Sequence, residues 1–307
     1  MAICFNTTLG DVDAWTTHLG NLLPDEEIRV WPDVGDRSEI DIVIMWDLPV
    51  EELASFPNLE AILVLGAGAN HLRPVELLPD VPIVRLVDET VAKDMGAYVL
   101  HWLLHHHRDF DRYLQQESAQ NWERHSYTAV DDHVVGICGM GNIGRHIADV
   151  IRPLGYPIRG WSRSGTAVEG IEMFDGDHLG EFLDGTNTLV NVLPMTQDTR
   201  RLLDADRLGR LPEGAVVINV GRGGSIDDDA LLAALDSGHL RAAVLDVFRG
   251  EPVTAESPFW NHPKVRVTPH ISGFTYPRSA ARYLAANISR IRRGDEPFPL
   301  FDRTRGY

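Results

Sequence analysis

Three residues far apart in the chain stand in loops that each close an apolar run: Arg222 in VINVGRGG, Glu251 in LDVFRGEP and His270 in VTPHISG. An imidazole, with an ordinary pKa near ~6.5, can give a proton to an oxygen that is gaining negative charge. A glutamate against the other ring nitrogen would hold the ring and favour its charged form. A guanidinium fork can grip a carboxylate through two hydrogen bonds and polarise the carbonyl oxygen beside it. Together they predict reduction of a carbonyl next to a carboxylate, with His270 as general acid, Glu251 steadying it, and Arg222 and His270 contacting the substrate.

The electrons point to a dinucleotide. Gly139, Met140, Gly141, Asn142, Ile143 and Gly144 form a Gly-x-Gly-x-x-Gly run that follows the apolar VVGIC and opens NIGRHIADVIRPLG. Strand before and helix after is the context the motif needs. The first glycine makes the turn, the second admits the pyrophosphate, the third lets helix pack on strand, and the helix N-terminus offers free N–H groups. The next strand ends PIRGWSRSG, where sites for NAD(H) place a carboxylate on the ribose 2′-OH. Ser162, Arg163 and Ser164 stand there instead and suit a 2′-phosphate, so NADP(H) is preferred. NAD(H) remains possible if Arg163 is only a solvated surface charge. Leu193, Pro194 and Thr199 at the next strand exit complete the expected cofactor set, with Val220, Gly221, Asp246, Ser272 and Gly273.

In the N-terminal half, LGAGAN at 65–70 leaves another apolar strand. Gly66, Ala67 and Gly68 would present backbone N–H groups to a substrate carboxylate, and Trp46 would close the pocket; a tight turn and a partly buried aromatic are the alternatives. His101, His105, His106 and His107 include an i, i+4 pair, but no carboxylate or cysteine is placed with them as clearly, so no metal is expected.

These loops need a scaffold that aligns strand ends. Apolar or β-branched runs at Ala2–Phe5, Glu27–Val30, Asp41–Met45, Ala61–Leu65 and Ile83–Leu86 alternate with polar or helical segments, the pattern of a parallel α/β sheet. A second series runs through Val134–Cys138, Pro157–Trp161, Leu189–Leu193, Ala215–Val220, Ala242–Leu245 and Val265–Thr268, with helices at Asn142–Leu154 and Asp227–Ser237. Helical spacing from Val91 to Leu114 predicts one long helix between two lobes, and an amphipathic helix over about 277–293 precedes the tail.

At 307 residues one large or two modest cores are expected. The net charge of −17 disfavours nucleic acid and anionic membrane as partners, and it makes arginines at an anion site necessary. No apolar run is long enough to span a bilayer, the N-terminus lacks a basic-then-apolar leader, and the two cysteines form no ligand cluster. A cytoplasmic location is expected.

In GMGNIG, NVGRGG, LDVFRGEP and TPHISG the chain resembles the D-isomer-specific 2-hydroxyacid dehydrogenases. In LGAGAN, WSRS, ALDSGHL, ESPFWNHPKVRVTPH and DRTRGY it is similar to their bacterial glyoxylate/hydroxypyruvate reductase subgroup. The resemblance implies two Rossmann-like or flavodoxin-like lobes, the cofactor lobe (99–275) inserted into a substrate lobe (1–98 and 276–307), with the active site in the cleft. It implies NADPH-dependent reduction of small 2-oxo acids, glyoxylate or hydroxypyruvate, to glycolate or D-glycerate, in a homodimer formed through the cofactor lobes. SGFT after His270, and Tyr276, depart from the commoner pattern and leave the preferred acid open. A relative acting on another 2-oxo acid, or a nucleotide-sensing co-repressor, are the competing readings.

Overall fold

The alternation of short apolar runs with helices folds, in the computed structural model, into two sheets whose strands pair in parallel. The structure describes residues 1–66, 68, 72 and 74–304; Ala67, expected on the substrate loop, lies outside the described residues. One compact unit comprises Met1–Val91 and Phe274–Tyr307, and the second, Ala92–Gly273, is inserted between those segments.

In the first unit β1 (Ala2–Asn6), β2 (Glu27–Val30), β3 (Ile40–Met45), β4 (Ala61–Val64) and β5 (Ile83–Val84) order as β2-β1-β3-β4-β5. Every residue of β3 is buried, because both faces are covered. Ile42 and Ile44 join one cluster with Trp15 of α1 (Val12–Leu22) and with Ala281, Leu284 and Ile288 of the C-terminal helix (Pro277–Arg292). Ile40, Val43 and Met45 join the other. A strand buried on both faces reads as a continuous apolar run rather than an alternating one.

The second unit holds β6 (Val135–Cys138), β7 (Ile158–Trp161), β8 (Glu172–Phe174), β9 (Thr188–Asn191), β10 (Ala215–Asn219), β11 (Leu240–Leu245) and β12 (Val265–Val267), in the order β12-β11-β10-β9-β6-β7-β8. The chain leaves β6 for β7 on one side and later returns to β9 on the other. The strand order therefore reverses at β6, and ligands of open α/β sheets bind outside the carboxyl ends of the strands at such a point. The edge strand β8 was not expected: its three residues are exposed or half-buried and carry no apolar run.

The helix expected from Val91 to Leu114 is two helices, α2 (Glu89–His107) and α3 (Phe110–Ser118). Asp109 lies between them with φ 56°, a left-handed conformation that aspartate tolerates better than most residues. Arg241 on β11 fixes this break, reaching Asp109 at 2.5 Å and Asp111 at 2.7 Å. Apolar periodicity carries across such a corner, which is why it does not reveal it.

Candidate active site

Six strand ends of the second unit supply the site. At the end of β6, Gly139 has φ +113°, and a Cβ at Gly144 would sit 2.0 Å from the Gly139 carbonyl oxygen. Only glycines allow α4 (Asn142–Ile151) to press this closely on the loop. Gly141 meets nothing within 4 Å and caps α4 without a side-chain hydrogen bond, so the first-turn N–H groups stay open to an anion. This cradle fits a pyrophosphate. The Met140 side chain does not take part: it is buried against Gly160, and only its backbone remains on the loop. Gly144→Ala is expected to weaken NADPH binding by at least about tenfold, measured by fluorescence titration, because helix and loop must separate to admit the methyl.

Beyond β7, Ser162, Arg163 and Ser164 form the next exit, and no carboxylate stands among them. The Arg163 guanidinium is 57% exposed and lies 3.5 Å from Asp198 in the loop after β9, while Ser164 shares a hydroxyl contact with Thr166. In that β9 loop Leu193 is buried beside Gly221, where a Cβ would come 2.7 Å from the Leu193 oxygen. Val220 is buried and donates its N–H to Asn191. Thr199, expected at the cofactor, braces its own loop. Its hydroxyl donates to the Pro194 carbonyl and accepts from the Thr196 N–H, which a turn this tight needs to satisfy its backbone.

Arg222 follows β10 and is held through its backbone. Buried Asn191 donates to Asn219 at 2.8 Å and to Ser225 at 2.7 Å, and Ser225 and Asn219 both donate to the Arg222 carbonyl. Sequence reasoning missed this network. Its signal is an asparagine ending each of two adjacent apolar strands, in LVN and VIN. Burial lowers the Arg222 pKa from its ordinary value and the nearby Glu251 charge opposes that; the guanidinium stays charged at neutral pH.

His270 stands beyond β12 with φ 55°, a strained conformation for a side chain of this size. Its N–H donates to the Asp246 carbonyl, and the fully buried Asp246 carboxylate accepts from the Thr268 hydroxyl and from the N–H groups of Ile271 and Ser272. Tyr98 of α2 closes the set at 2.6 Å from Thr268. Asp246 and Ser272 were expected on the cofactor. The Asp246 carboxylate, taken by three donors, clamps the histidine loop, and Ser272 is buried in the same clamp. Gly273, half-buried, ends the unit.

His270 Nδ1 lies 2.7 Å from Glu251 Oε2, and Glu251 Oε1 accepts the Phe248 N–H at 2.8 Å. An ionised carboxylate only accepts, so Nδ1 carries the proton in this bond and Nε2 is the end left for substrate. Burial pushes the Glu251 carboxyl upward, but the bonds from His270 and Phe248 and the charges of His270 and Arg222 outweigh it, leaving it below its ordinary 4.5. A lowered folded-state pKa gives stability that is present above 4.5 and is lost as pH falls through the lowered value. The unfolding-temperature gap between wild type and Glu251→Gln is therefore expected to hold from about pH 7 to 5 and to close in more acidic solution, as differential scanning calorimetry would show.

In the first unit, Gly66 is buried against the Trp46 ring, where a Cβ would come 2.1 Å from Cζ3. Two expected substrate residues, Trp46 and Gly66, thus pack together, and Gly68 is half-buried.

Residues 100–272 match the D-isomer specific 2-hydroxyacid dehydrogenase, NAD binding domain. Over the full length of both chains, the protein is 38% identical to a glyoxylate/hydroxypyruvate reductase A of Klebsiella pneumoniae. The chain belongs to the D-isomer specific 2-hydroxyacid dehydrogenase family. Solved structures agree with that membership. A D-isomer specific 2-hydroxyacid dehydrogenase of Xanthobacter autotrophicus Py2, in complex with NADPH and MES, superposes with TM-score 0.95 at 36% identity, covering 100% of this chain and 99% of that one. An NADPH-dependent glyoxylate/hydroxypyruvate reductase of Sinorhizobium meliloti, with NADP and sulfate, gives TM-score 0.93 at 34% identity over 100% of each chain. In this dehydrogenase the inserted unit, with its glycine cradle, is the one that matches the family's nucleotide-binding domain.

Proposed function

We propose that the protein is an NADPH-dependent reductase that converts glyoxylate and hydroxypyruvate to glycolate and D-glycerate. The observation that carries this reading is the His270–Glu251 pair at 2.7 Å with Arg222 acting electrostatically on the same carboxylate, all at strand ends of one sheet. The 139–144 cradle would hold the pyrophosphate of NADPH, whose reduced nicotinamide would supply hydride to a carbonyl carbon. Arg222 grips the substrate carboxylate and draws charge toward the carbonyl oxygen. His270 Nε2 gives that oxygen its proton, and Glu251 holds the ring through Nδ1. The catalytic residues are Arg222, Glu251 and His270. The backbone of 139–144 holds the phosphates, Arg163 with Ser162 and Ser164 selects the 2′-phosphate, and Leu193, Pro194, Val220 and Gly221 wall the nicotinamide side. The other unit, in which Gly66 packs on the Trp46 ring, forms the substrate domain. Parallel assays of glyoxylate, hydroxypyruvate, pyruvate and a branched 2-oxo acid with NADPH and NADH test the reading. Preference for a branched acid, or for NADH, would reassign the substrate or the cofactor.

The finer assignments are a cytoplasmic homodimer. Cys4 and Cys138 are free and buried, as a reducing compartment allows, and no described helix is long and apolar enough to cross a membrane. Phe110, Leu114, Trp122 and Tyr127 expose apolar surface along α3 and the segment after it, with Trp122 98% exposed. Such a strip suits a subunit contact. Sedimentation equilibrium is expected to give twice the chain mass, and Trp122→Ala to weaken the association.

A further inference from the structure

We propose that His105, His106 and Asp111 form a structural site for a divalent transition cation, zinc foremost, at the corner between α2 and α3. One ligand atom from each residue lies within 4.8 Å of the others. Tetrahedral zinc with bonds of about 2.0–2.1 Å wants such atoms about 3.4 Å apart, so small side-chain rotations close the site. His106 is 2% exposed, yet among the described residues neither of its ring nitrogens has a hydrogen-bond partner, nor does His105 Nε2. Asp111 Oδ2 pairs with His106 Nδ1 at 3.5 Å, longer than a good hydrogen bond. Leaving buried imidazole nitrogens unmatched costs free energy, and a cation would accept their lone pairs.

Ring packing does not account for the cluster. Trp102 stacks on His106 at 6.0 Å, which satisfies the ring face and not the nitrogens. Buried His107 and its half-buried neighbour His133 show the contrast. There His107 meets the Tyr156 hydroxyl at 2.6 Å and the Thr128 carbonyl at 2.8 Å, and His133 meets Thr188 at 2.9 Å. That pair is satisfied and offers no site.

The surroundings fit a cation. Arg241 holds Asp111 by its other oxygen, the kind of outer partner that orients a carboxylate ligand. Arg241 is shared between Asp109 and Asp111, so it does not fully neutralise either carboxylate. A cavity of about 440 Å³ bordered by His105, Asp111, Gln115 and Arg266 gives a water access as fourth ligand. Two imidazoles and one carboxylate favour zinc over magnesium or calcium, which prefer oxygen. Arg266 opposes a cation and limits the expected affinity to the micromolar range. The sequence places these histidines without an acidic companion; the corner at Asp109 brings Asp111 to them.

Chelator-treated, dialysed protein titrated with zinc chloride in a calorimeter is expected to bind one ion per chain with Kd about 1–10 µM and to unfold about 2–4 °C higher. Asp111→Asn and His105→Gln are expected to weaken binding at least about tenfold, whereas His101→Gln, one turn earlier on the exposed face, leaves it unchanged. If His106→Gln fails to fold, the half-buried His105 substitution carries the same test. Absence of saturable binding below about 100 µM zinc, or binding that survives Asp111→Asn and is lost in His101→Gln, would overturn the proposal.

Discussion

His270→Ala is expected to lower kcat for glyoxylate reduction by about 10²–10⁴-fold, while NADPH affinity stays within about twofold. The geometry separates the two effects. The imidazole is committed to Glu251 through Nδ1, and its loop is fixed through backbone bonds to Asp246 rather than through the ring. Removing the ring therefore takes away the proton donor and leaves the clamp, and the glycine cradle lies at another strand end. Alanine pays a similar conformational cost at φ 55°, so the loop gains no new strain. Stopped-flow turnover paired with NADPH fluorescence titration reads both quantities. Unchanged kcat would remove His270 from the reaction, and lost NADPH binding would make the loop part of the cofactor site.

The second large effect is at Arg222. Arg222→Lys is expected to reduce kcat/KM by about 10²–10³-fold, because an ammonium cannot supply the two parallel donors of the guanidinium fork. Arg222→Met should lose more. Asn219 and Ser225 hold the backbone at this position through the Arg222 carbonyl, so the fold tolerates either side chain. An unfolding temperature within about 2 °C of wild type, with the kinetic loss intact, would separate chemistry from stability. Wild-type kcat/KM in Arg222→Lys would mean that the residue acts as a generic charge.

Most of the scaffold is legible in the chain because both sheets are parallel and buried. Runs such as AICF, IDIVIM and AVVIN read as strands without any alternation, and GMGNIG marks where one strand turns into a helix. What periodicity does not reveal is local backbone geometry and the use of buried polar groups. The corner at Asp109 leaves the apolar spacing intact, and the three-residue β8 has no apolar signature. The side chains proposed for catalysis stand out because their loops carry unusual residue types beside glycine. Their supports were not. Thr199, Asp246 and Ser272 appear in the same loops as the expected cofactor contacts, and only coordinates show their polar groups turned toward their own backbone. Asn191, Asn219 and Ser225 are ordinary polar residues in sequence and become the brace for Arg222 through long-range pairing.

The central claim is that this chain moves hydride from NADPH to a 2-oxo carbon. Incubation with NADPH deuterated at the transferable C4 position and glyoxylate, followed by mass spectrometry of the product, tests it most directly. The structure predicts glycolate carrying deuterium at C2, formed at least about 100-fold more slowly by His270→Ala. Glycolate without the label, or no glycolate from the wild-type protein, would contradict it.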